Sequence, residues 1–320
     1  MYANISVKRT AAVSLAMKAS PFDVNDQSAY LGWREKKIEA YPVTAADLVV
    51  EVKDPLHMTA SEQDAIRQRC ASANMAVYSS NQHPSRNEIV ILAAQFGLNH
   101  LDKHLCAEED GVSALQNDVS GQRREYIPYS KRAINWHSDG YYNLPEQRIR
   151  AMLLHCASPA AAGGDNCLLD HEMVYLQLRD QNPDYIRALM QADAMTIPAN
   201  IQEGMEIRPA LSGPVFSVDA QSGDLHMRYT ARTRSIEWKQ DALTLEAVKA
   251  LEQILQANSS WQFKVRLEAG QGVITNNVLH TRTAFEDDAQ QGLTRLIYRV
   301  RSYDRIVGTS TRDTVPFSER

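Results

Sequence analysis

The sequence predicts an α+β chain in which short strands build the core and helices flank it, and three stretches carry that expectation. The first is Asn135-Trp136-His137-Ser138-Asp139-Gly140-Tyr141-Tyr142-Asn143, a His and an Asp two residues apart among aromatics, closed by Gly140. In an extended strand residues i and i+2 point to the same side, so an imidazole nitrogen and a carboxylate oxygen can converge there on one metal ion. The second is the stretch from Gly272 to Phe285, where a strand over Val273 to His280 ends on a distal imidazole. His280 would complete a face of two His and one carboxylate with the opposite positions open. The third is Arg295-Leu296-Ile297-Tyr298-Arg299-Val300-Arg301. Period two puts Leu296, Tyr298 and Val300 on one face and Arg295, Ile297, Arg299 and Arg301 on the other.

At 320 residues the chain exceeds the usual size of one domain, but β-sandwich and barrel enzymes of this length often fold as one. No internal repeat, low-complexity tract or linker divides it. The expectation is one domain over 1–320, with an N-terminal arm and short strands over 1–60 and the core over 70–305. Lys+Arg 34 against Asp+Glu 39 gives a net charge of -5 with no long basic run, which argues against nucleic acid or an anionic membrane as the main partner. No stretch approaches the ~18 consecutive apolar residues of a membrane helix, and Met1 to Ser20 lacks the continuous apolar segment of a signal peptide. Cysteines 70, 106, 156 and 167 show no C-x-x-C spacing. Free thiols in a reducing cytoplasm are the plain expectation, and a bound metal would use His and carboxylate rather than thiolate. Oligomeric state leaves no signature, so a homo-oligomer stays open.

Taken in order, Ala11 to Ala19 reads as a short helix and Ala29 to Val52 as short β-like pieces. Thr59 or Ser61 caps a helix to about Asn74, with Glu62 and Asp64 in its first turn. Met75 to Tyr78 is a strand, and Ser85 to Gly97 an amphipathic helix. Ile149 to Ala157 reads as a buried strand, Pro159 to Gly164 as a turn, and Asp165 to Leu169 as a strand. Asp170 caps a helix from Glu172 to Arg179, and Asn182 one from Pro183 to Gln191. Residues 195 to 240 hold turns and short strands. Thr244 to Ala257 is the clearest helix, with Leu245, Val248, Leu251, Ile254 and Leu255 at steps of three and four. Gln262 to Leu267 and Thr294 to Ser302 are further strands.

Three arginines on one face of a strand read blandly as an edge strand turned to solvent. The sharper reading sets a guanidinium inside a barrel mouth, where its fork matches a carboxylate bidentately. A buried unpaired charge of this kind costs several kcal/mol, so the site would require an anionic ligand such as a dicarboxylate.

Four motifs in order resemble the taurine-dioxygenase-like (TauD/TfdA) family: Trp136-His137-Ser138-Asp139-Gly140, Gly163-Gly164-Asp165-Asn166, Leu279-His280-Thr281-Arg282-Thr283-Ala284-Phe285, and Arg295-x-x-x-Arg299. The resemblance covers residues 70 to 305. It implies a double-stranded β-helix (jelly-roll, cupin-like) core with helices packed against one outer face. It also implies Fe(II) on His137, Asp139 and His280, with 2-oxoglutarate and O2 as co-substrates and Arg295 on the distal carboxylate of 2-oxoglutarate. Where the family often has Thr after Gly-Gly-Asp, this chain has Asn166, whose amide NH2 could donate instead. Arg299 matches the second arginine of the family's pair, which faces the substrate in the taurine enzyme; Arg299 or Arg301 could serve either ligand. The expected function is oxidation, by hydroxylation, of a small polar or anionic molecule, with 2-oxoglutarate converted to succinate and CO2. A non-catalytic metal- or ligand-binding jelly roll is the alternative. Tyr141, Tyr142 and Asn143 are candidates to line the substrate pocket, with Tyr126, Tyr129 and Asn117 behind them.

Other histidines read as structural. His100-Leu101-Asp102 is a second His-x-Asp, but on a continuing helix i and i+2 would point apart; with His104 it lacks the Glu of a zinc His-Glu-x-x-His. Asp170-His171-Glu172 reads as a helix N-terminus, His155 as a core histidine, and His226 as a residue of a turn-rich region.

Overall fold

The computed structural model describes residues 20–103, 110–118, 126–202 and 204–311. The expected helix at Ala11 to Ala19, His104 and Cys106 lie outside them. Two sheets face each other across a shared core. The larger has six strands in the order Val49–Glu51, Met75–Ser79, Gln271–Thr275, Ala151–Ser158, Leu296–Ser302 and Val112–Leu115. Its first pair is parallel and the rest antiparallel. The smaller has four antiparallel strands, Gln262–Val265, Asn166–Leu169, Leu279–Arg282 and Ile134–His137.

The period of two sorts side chains into layers. Between the sheets lie Val77, Met152, Leu154, Val273 and Ile297 of the large sheet against Leu168, Phe263 and Val265 of the small one. Their neighbours Ala76, Leu153, Ile274 and Val300 turn outward, under Ile66 and Cys70 of the helix Ala60–Ala73 and Leu92 of Ile89–Ala94. Leu169 and Leu279 turn outward from the small sheet, against Val174, Leu178, Ile186, Leu251 and Leu255 of the helices His171–Gln181, Pro183–Leu189 and Ala242–Gln256. Each such buried aliphatic contributes roughly 1.5–3 kcal/mol of transfer free energy. Helices therefore cover both outer faces, not the single face expected, because both sheets carry an apolar outward row.

Helix starts follow their caps. Thr59 and Glu62 form a reciprocal capping box, Asp241 accepts from Thr244 N, and Asn74 ends its helix in the left-handed conformation at φ 57. Two expectations need correction. Part of the stretch expected as short strands is a helix, Gln27–Glu39, capped by Asp26 and buried through Tyr30 and Lys37. Lys37 is held by Asp170 at 2.6 Å and Glu172 at 2.5 Å, so a buried charge pair extends the short aromatic face of Tyr30 and Trp33 that packs into the core. The single strand expected over Val273 to His280 is two strands in different sheets. Asn277 sits between them at φ 53, a left-handed conformation no ladder can continue through.

Candidate metal centre

His137 ends the strand Ile134–His137 and pairs with His280 of Leu279–Arg282 across the small sheet. Trp136 and Leu279 turn outward to the helices, and Trp136 Nε1 donates to Leu255 O at 3.0 Å. The alternation leaves both imidazoles on the inner side. Asp139 follows in the turn after the strand. One donor atom from each of His137, Asp139 and His280 lies within 4.8 Å of the others. His137 Nε2 is 3.7 Å from Asp139 Oδ1, and the two rings are 4.2 Å apart between centroids.

The donors fit a divalent transition metal. His137 Nδ1 lies 2.9 Å from Asn135 O and 3.1 Å from His280 O, and His280 Nδ1 lies 3.1 Å from Val278 O. Carbonyl oxygens only accept, so each Nδ1 carries the proton and each Nε2 keeps a lone pair for the site. Burial, and then the neighbouring His280, pull the His137 pKa down to about 3; burial also lowers that of His280. Both rings are thus neutral at physiological pH. Burial alone would raise the Asp139 carboxyl, but the Arg299 and Arg301 guanidiniums outweigh it and hold it well below the usual range. Its Oδ2 is buried without a hydrogen bond, 3.4 Å from Arg299 Nη1.

The Arg face of Leu296–Ser302 looks inward. Arg295, Arg299 and Arg301 are all buried, on the side of Ile297 and the core between the sheets, whereas Val300 and Tyr298 pack on the helix side. Their partners differ. Arg301 pairs with Asp102 and donates to the Tyr142 hydroxyl at 2.9 Å. Arg299 faces Asp139. The Arg295 guanidinium lies over the Phe285 ring at 5.0 Å, and its Nη1 is buried with no hydrogen-bond partner. Burial pulls its pKa down to about 10. Together with Asn166, Cys156, Gly163, Gly164 and Leu267 it lines a narrow, partly open cleft. Neither the Arg295 nor the Asn166 side chain has a hydrogen-bond or ion-pair partner among the described residues.

Two of the sequence motifs are one structure. Asp165 N donates to Thr283 Oγ1 at 3.0 Å and Thr283 N to Asp165 O at 2.9 Å, so the Gly-Gly-Asp turn is tied to the segment after His280. At Gly163, with φ +69, a Cβ would collide with Ala284 O, which is why this approach requires glycine. Gly140 is similar: a Cβ would collide with Ile149. Arg282 donates to the carbonyls of Pro128, Ser130 and Arg132, fixing the segment before the metal stretch.

Of the substrate candidates, Tyr141 and Tyr142 stand edge to face at 5.1 Å, with the Tyr141 hydroxyl near Thr230 and Ser235. Asn143 is used locally, its Nδ2 donating to Gln147 O at 2.9 Å. Tyr129 is buried in the core between the sheets; Tyr126 is exposed and Asn117 half-buried. His100 and Asp102 do not converge, though not for the reason expected: the segment is no helix, and His100 pairs with Asp304 at 2.8 Å while Asp102 turns to Arg301 and Tyr303. His155 is fully buried with Nδ1 2.9 Å from the Tyr78 hydroxyl. His171 lies with Nε2 3.1 Å from Leu225 O. His226 lines a separate cleft beside Arg148 and Arg150. Sequence reasoning missed Asp102 as the counterion of Arg301, and it missed Asn277, whose only signal was an Asn-Asn pair inside an apparent strand.

The family model of taurine catabolism dioxygenases (TauD, TfdA family) matches residues 38–300. A uridine-5'-phosphate dioxygenase from Amycolatopsis sp is 31% identical over 200 residues, 60% of this chain and 70% of that protein. One from Streptomyces sp is 28% identical over 224 residues, 66% and 77% of the two chains. The solved structure of the non-heme iron oxygenase OrfP with Fe and alpha-ketoglutaric acid superposes with a TM-score of 0.58 at 18% identity, covering 84% of this chain and 90% of that one. Among the described residues no helix is long and apolar enough to cross a membrane. The chain belongs to the TauD, TfdA family and is an iron- and 2-oxoglutarate-dependent dioxygenase.

Proposed function

We propose that the enzyme hydroxylates a small anionic molecule, and that His137, Asp139 and His280 hold its Fe(II) while Arg295 and Asn166 receive the distal carboxylate of 2-oxoglutarate. The observation that carries this reading is Arg295: a buried guanidinium with an unpaired Nη1, on the strand face that also sets Arg299 against Asp139. A charge held there without a counterion costs several kcal/mol, and a carboxylate removes that cost with charge-assisted bonds. When bound, the iron and 2-oxoglutarate supply the oxidation itself, with O2 consumed, succinate and CO2 formed, and one oxygen delivered to the substrate.

The chain supplies position and exclusion. The Nδ1–H bonds to carbonyls fix both rings with Nε2 inward, and Arg299 keeps Asp139 ionised. We read the two facing sheets as a double-stranded β-helix and the whole as a single domain. Tyr141 and Tyr142 line the substrate side; Arg301, neutralised by Asp102, acts by holding Tyr142, and Asn143 by closing its own turn. Arg299 keeps donors free for an anionic substrate group. The free thiols of Cys70, Cys156 and Cys167 suit a reducing cytoplasm.

The two relatives named for uridine-5'-phosphate make a nucleoside monophosphate the first substrate to try. The test is succinate formation with purified protein, Fe(II), 2-oxoglutarate and air, with and without uridine-5'-phosphate. Succinate that rises with the nucleotide and vanishes without iron or oxygen supports the reading. No stimulation by the nucleotide removes that substrate class. No succinate with a panel of phosphates, sulfonates and amino acids would overturn the reading of a small anionic substrate.

A further inference from the structure

The ten residues after Asp139 form a loop that leaves the small sheet, carries Tyr141 and Tyr142, and returns at Ile149 to enter the strand Ala151–Ser158. One side chain closes the base of that loop. The Asn277 amide donates from Nδ2 to Asp139 O at 2.9 Å and to Ile149 O at 2.8 Å, and its Oδ1 accepts the Asp139 N–H at 2.8 Å. Three of its four hydrogen-bonding sites are thus spent on Asp139, which precedes the loop, and Ile149, which ends it. Asn277 is 3% exposed, and its backbone, at φ 53, is the break between the two sheets, three residues before His280.

We propose that Asn277 is the positioning residue of the metal centre: its amide sets the Asp139 carboxylate in register with His280 and ties the loop bearing Tyr141 and Tyr142 to the same point. The proposal rests on the metal reading above and adds a residue to it. Several features of the local structure converge on this role. Asp139 lies beyond the end of its strand, so no ladder bond fixes its backbone; the amide bond from Asn277 replaces one. Asp139 Oδ2 has no hydrogen bond of its own, only the ion pair to Arg299 at 3.4 Å, so the position of the carboxylate depends on how its backbone is held as well as on Arg299. Gly140, whose missing Cβ lets Ile149 pack directly against it, brings the two ends of the loop within reach of one amide. A left-handed residue is needed at 277 in any case; asparagine meets that need and supplies the clamp. Its neighbour Asn276 faces the other way, donating to Asn74 Oδ1 and Thr309 Oγ1, each at 3.0 Å, and is purely a scaffold residue.

Metal-ligand partners in the outer shell typically change metal affinity about 10–100-fold when removed, and that is the effect expected here. The test uses the full chain with Co(II) as a spectroscopic probe, in wild type, Asn277→Gly, Asn277→Asp and Asn276→Ala, alongside thermal unfolding of each metal-free protein. Asn277→Gly keeps the left-handed backbone and deletes the clamp. Asn277→Asp keeps the acceptor for Asp139 N–H but sets an oxygen against the Asp139 and Ile149 carbonyls, and it serves if the glycine variant does not fold. The expected result is Co(II) affinity about tenfold or more weaker in both Asn277 variants, with altered visible bands. Asn276→Ala should lower the melting temperature yet bind Co(II) within twofold of wild type. Wild-type affinity and spectrum in a folded Asn277 variant would overturn the proposal and leave Asn277 a turn residue. Failure of wild type itself to bind Co(II) or Fe(II) would instead bring down the metal reading, and this proposal with it.

Discussion

The strand Leu296–Ser302 carries a buried arginine near its end, Arg301, and another just before its start, Arg295, and the fold treats the two in opposite ways. At one end Arg301 is paired with Asp102, which also accepts from the Tyr303 hydroxyl at 2.7 Å, and it donates to Tyr142. At the other end the Arg295 guanidinium, among the described residues, has the face of Phe285, the more distant charge of Asp287 and a cleft, and its Nη1 has no hydrogen bond. Burial lowers the tendency of both guanidiniums to stay charged. At Arg301 the surrounding Tyr142, Asp139 and Asp102 outweigh it and raise the pKa, whereas at Arg295 burial prevails. A charge that the fold neutralises is part of the scaffold; a charge that it leaves unpaired is waiting for a ligand. Arg299, between them, does a third thing by holding the Asp139 carboxylate.

The largest expected effect breaks the scaffold end. Asp102→Ala leaves Arg301 buried without a counterion, and denaturant unfolding should show a loss of about 3–5 kcal/mol. Replacing both partners, Asp102→Leu with Arg301→Met, should recover most of it; a single variant as stable as wild type would mean that Arg301 finds water instead.

The outer face of the same sheet sharpens the contrast through pH. There His155 stacks between Tyr78 and Tyr298, and burial brings its pKa down to about 4. The unfolded chain, with an ordinary value of about 6.5, binds more protons between those limits, so stability is full above about 6.5 and falls as pH drops toward 4. The loss reaches up to about 3 kcal/mol, and His155→Phe should flatten that stretch of the stability profile. An unchanged slope would assign it to other groups.

The smallest change in stability belongs to the ligand end. Arg295→Met removes an unpaired buried charge, so the protein without co-substrate should be as stable as wild type or more so. Its affinity for 2-oxoglutarate should nonetheless fall about 10–100-fold, the worth of hydrogen bonds to a charged group, about 1.5–3 kcal/mol. A destabilised variant with normal 2-oxoglutarate affinity would reverse the roles assigned to the two ends.

The inward Arg face was legible because it rests on a period of two, which survives any detail of packing. The His-x-Asp spacing marked the triad too, although Asp139 lies in the turn past its strand rather than on one strand face with His137 as the spacing suggested. The helix Ala242–Gln256 was legible for the same kind of reason, with five apolar residues at helical steps. The helix Gln27–Glu39 was not, since only Tyr30 and Lys37 of its thirteen residues are buried, and it docks by Tyr30, Trp33 and a charge pair against residues far along the chain. Asp102 resembled a stray metal ligand because its partner lies 199 positions away, a distance no local pattern spans. Asn277 was hidden because Val273-Ile274 and Val278-Leu279 read as one apolar strand; the apolar pattern does not encode which sheet each half joins.

The central claim is that the triad and Arg295 form one site for iron and 2-oxoglutarate. An anaerobic titration of metal-free protein with Fe(II) and 2-oxoglutarate tests it most directly, through the weak visible charge-transfer band of a chelated 2-oxo acid. The account predicts a band in wild type, none in His137→Ala, and in Arg295→Ala a band that requires much more 2-oxoglutarate. Tight iron binding with no band in wild type, or a band indifferent to Arg295, would contradict it.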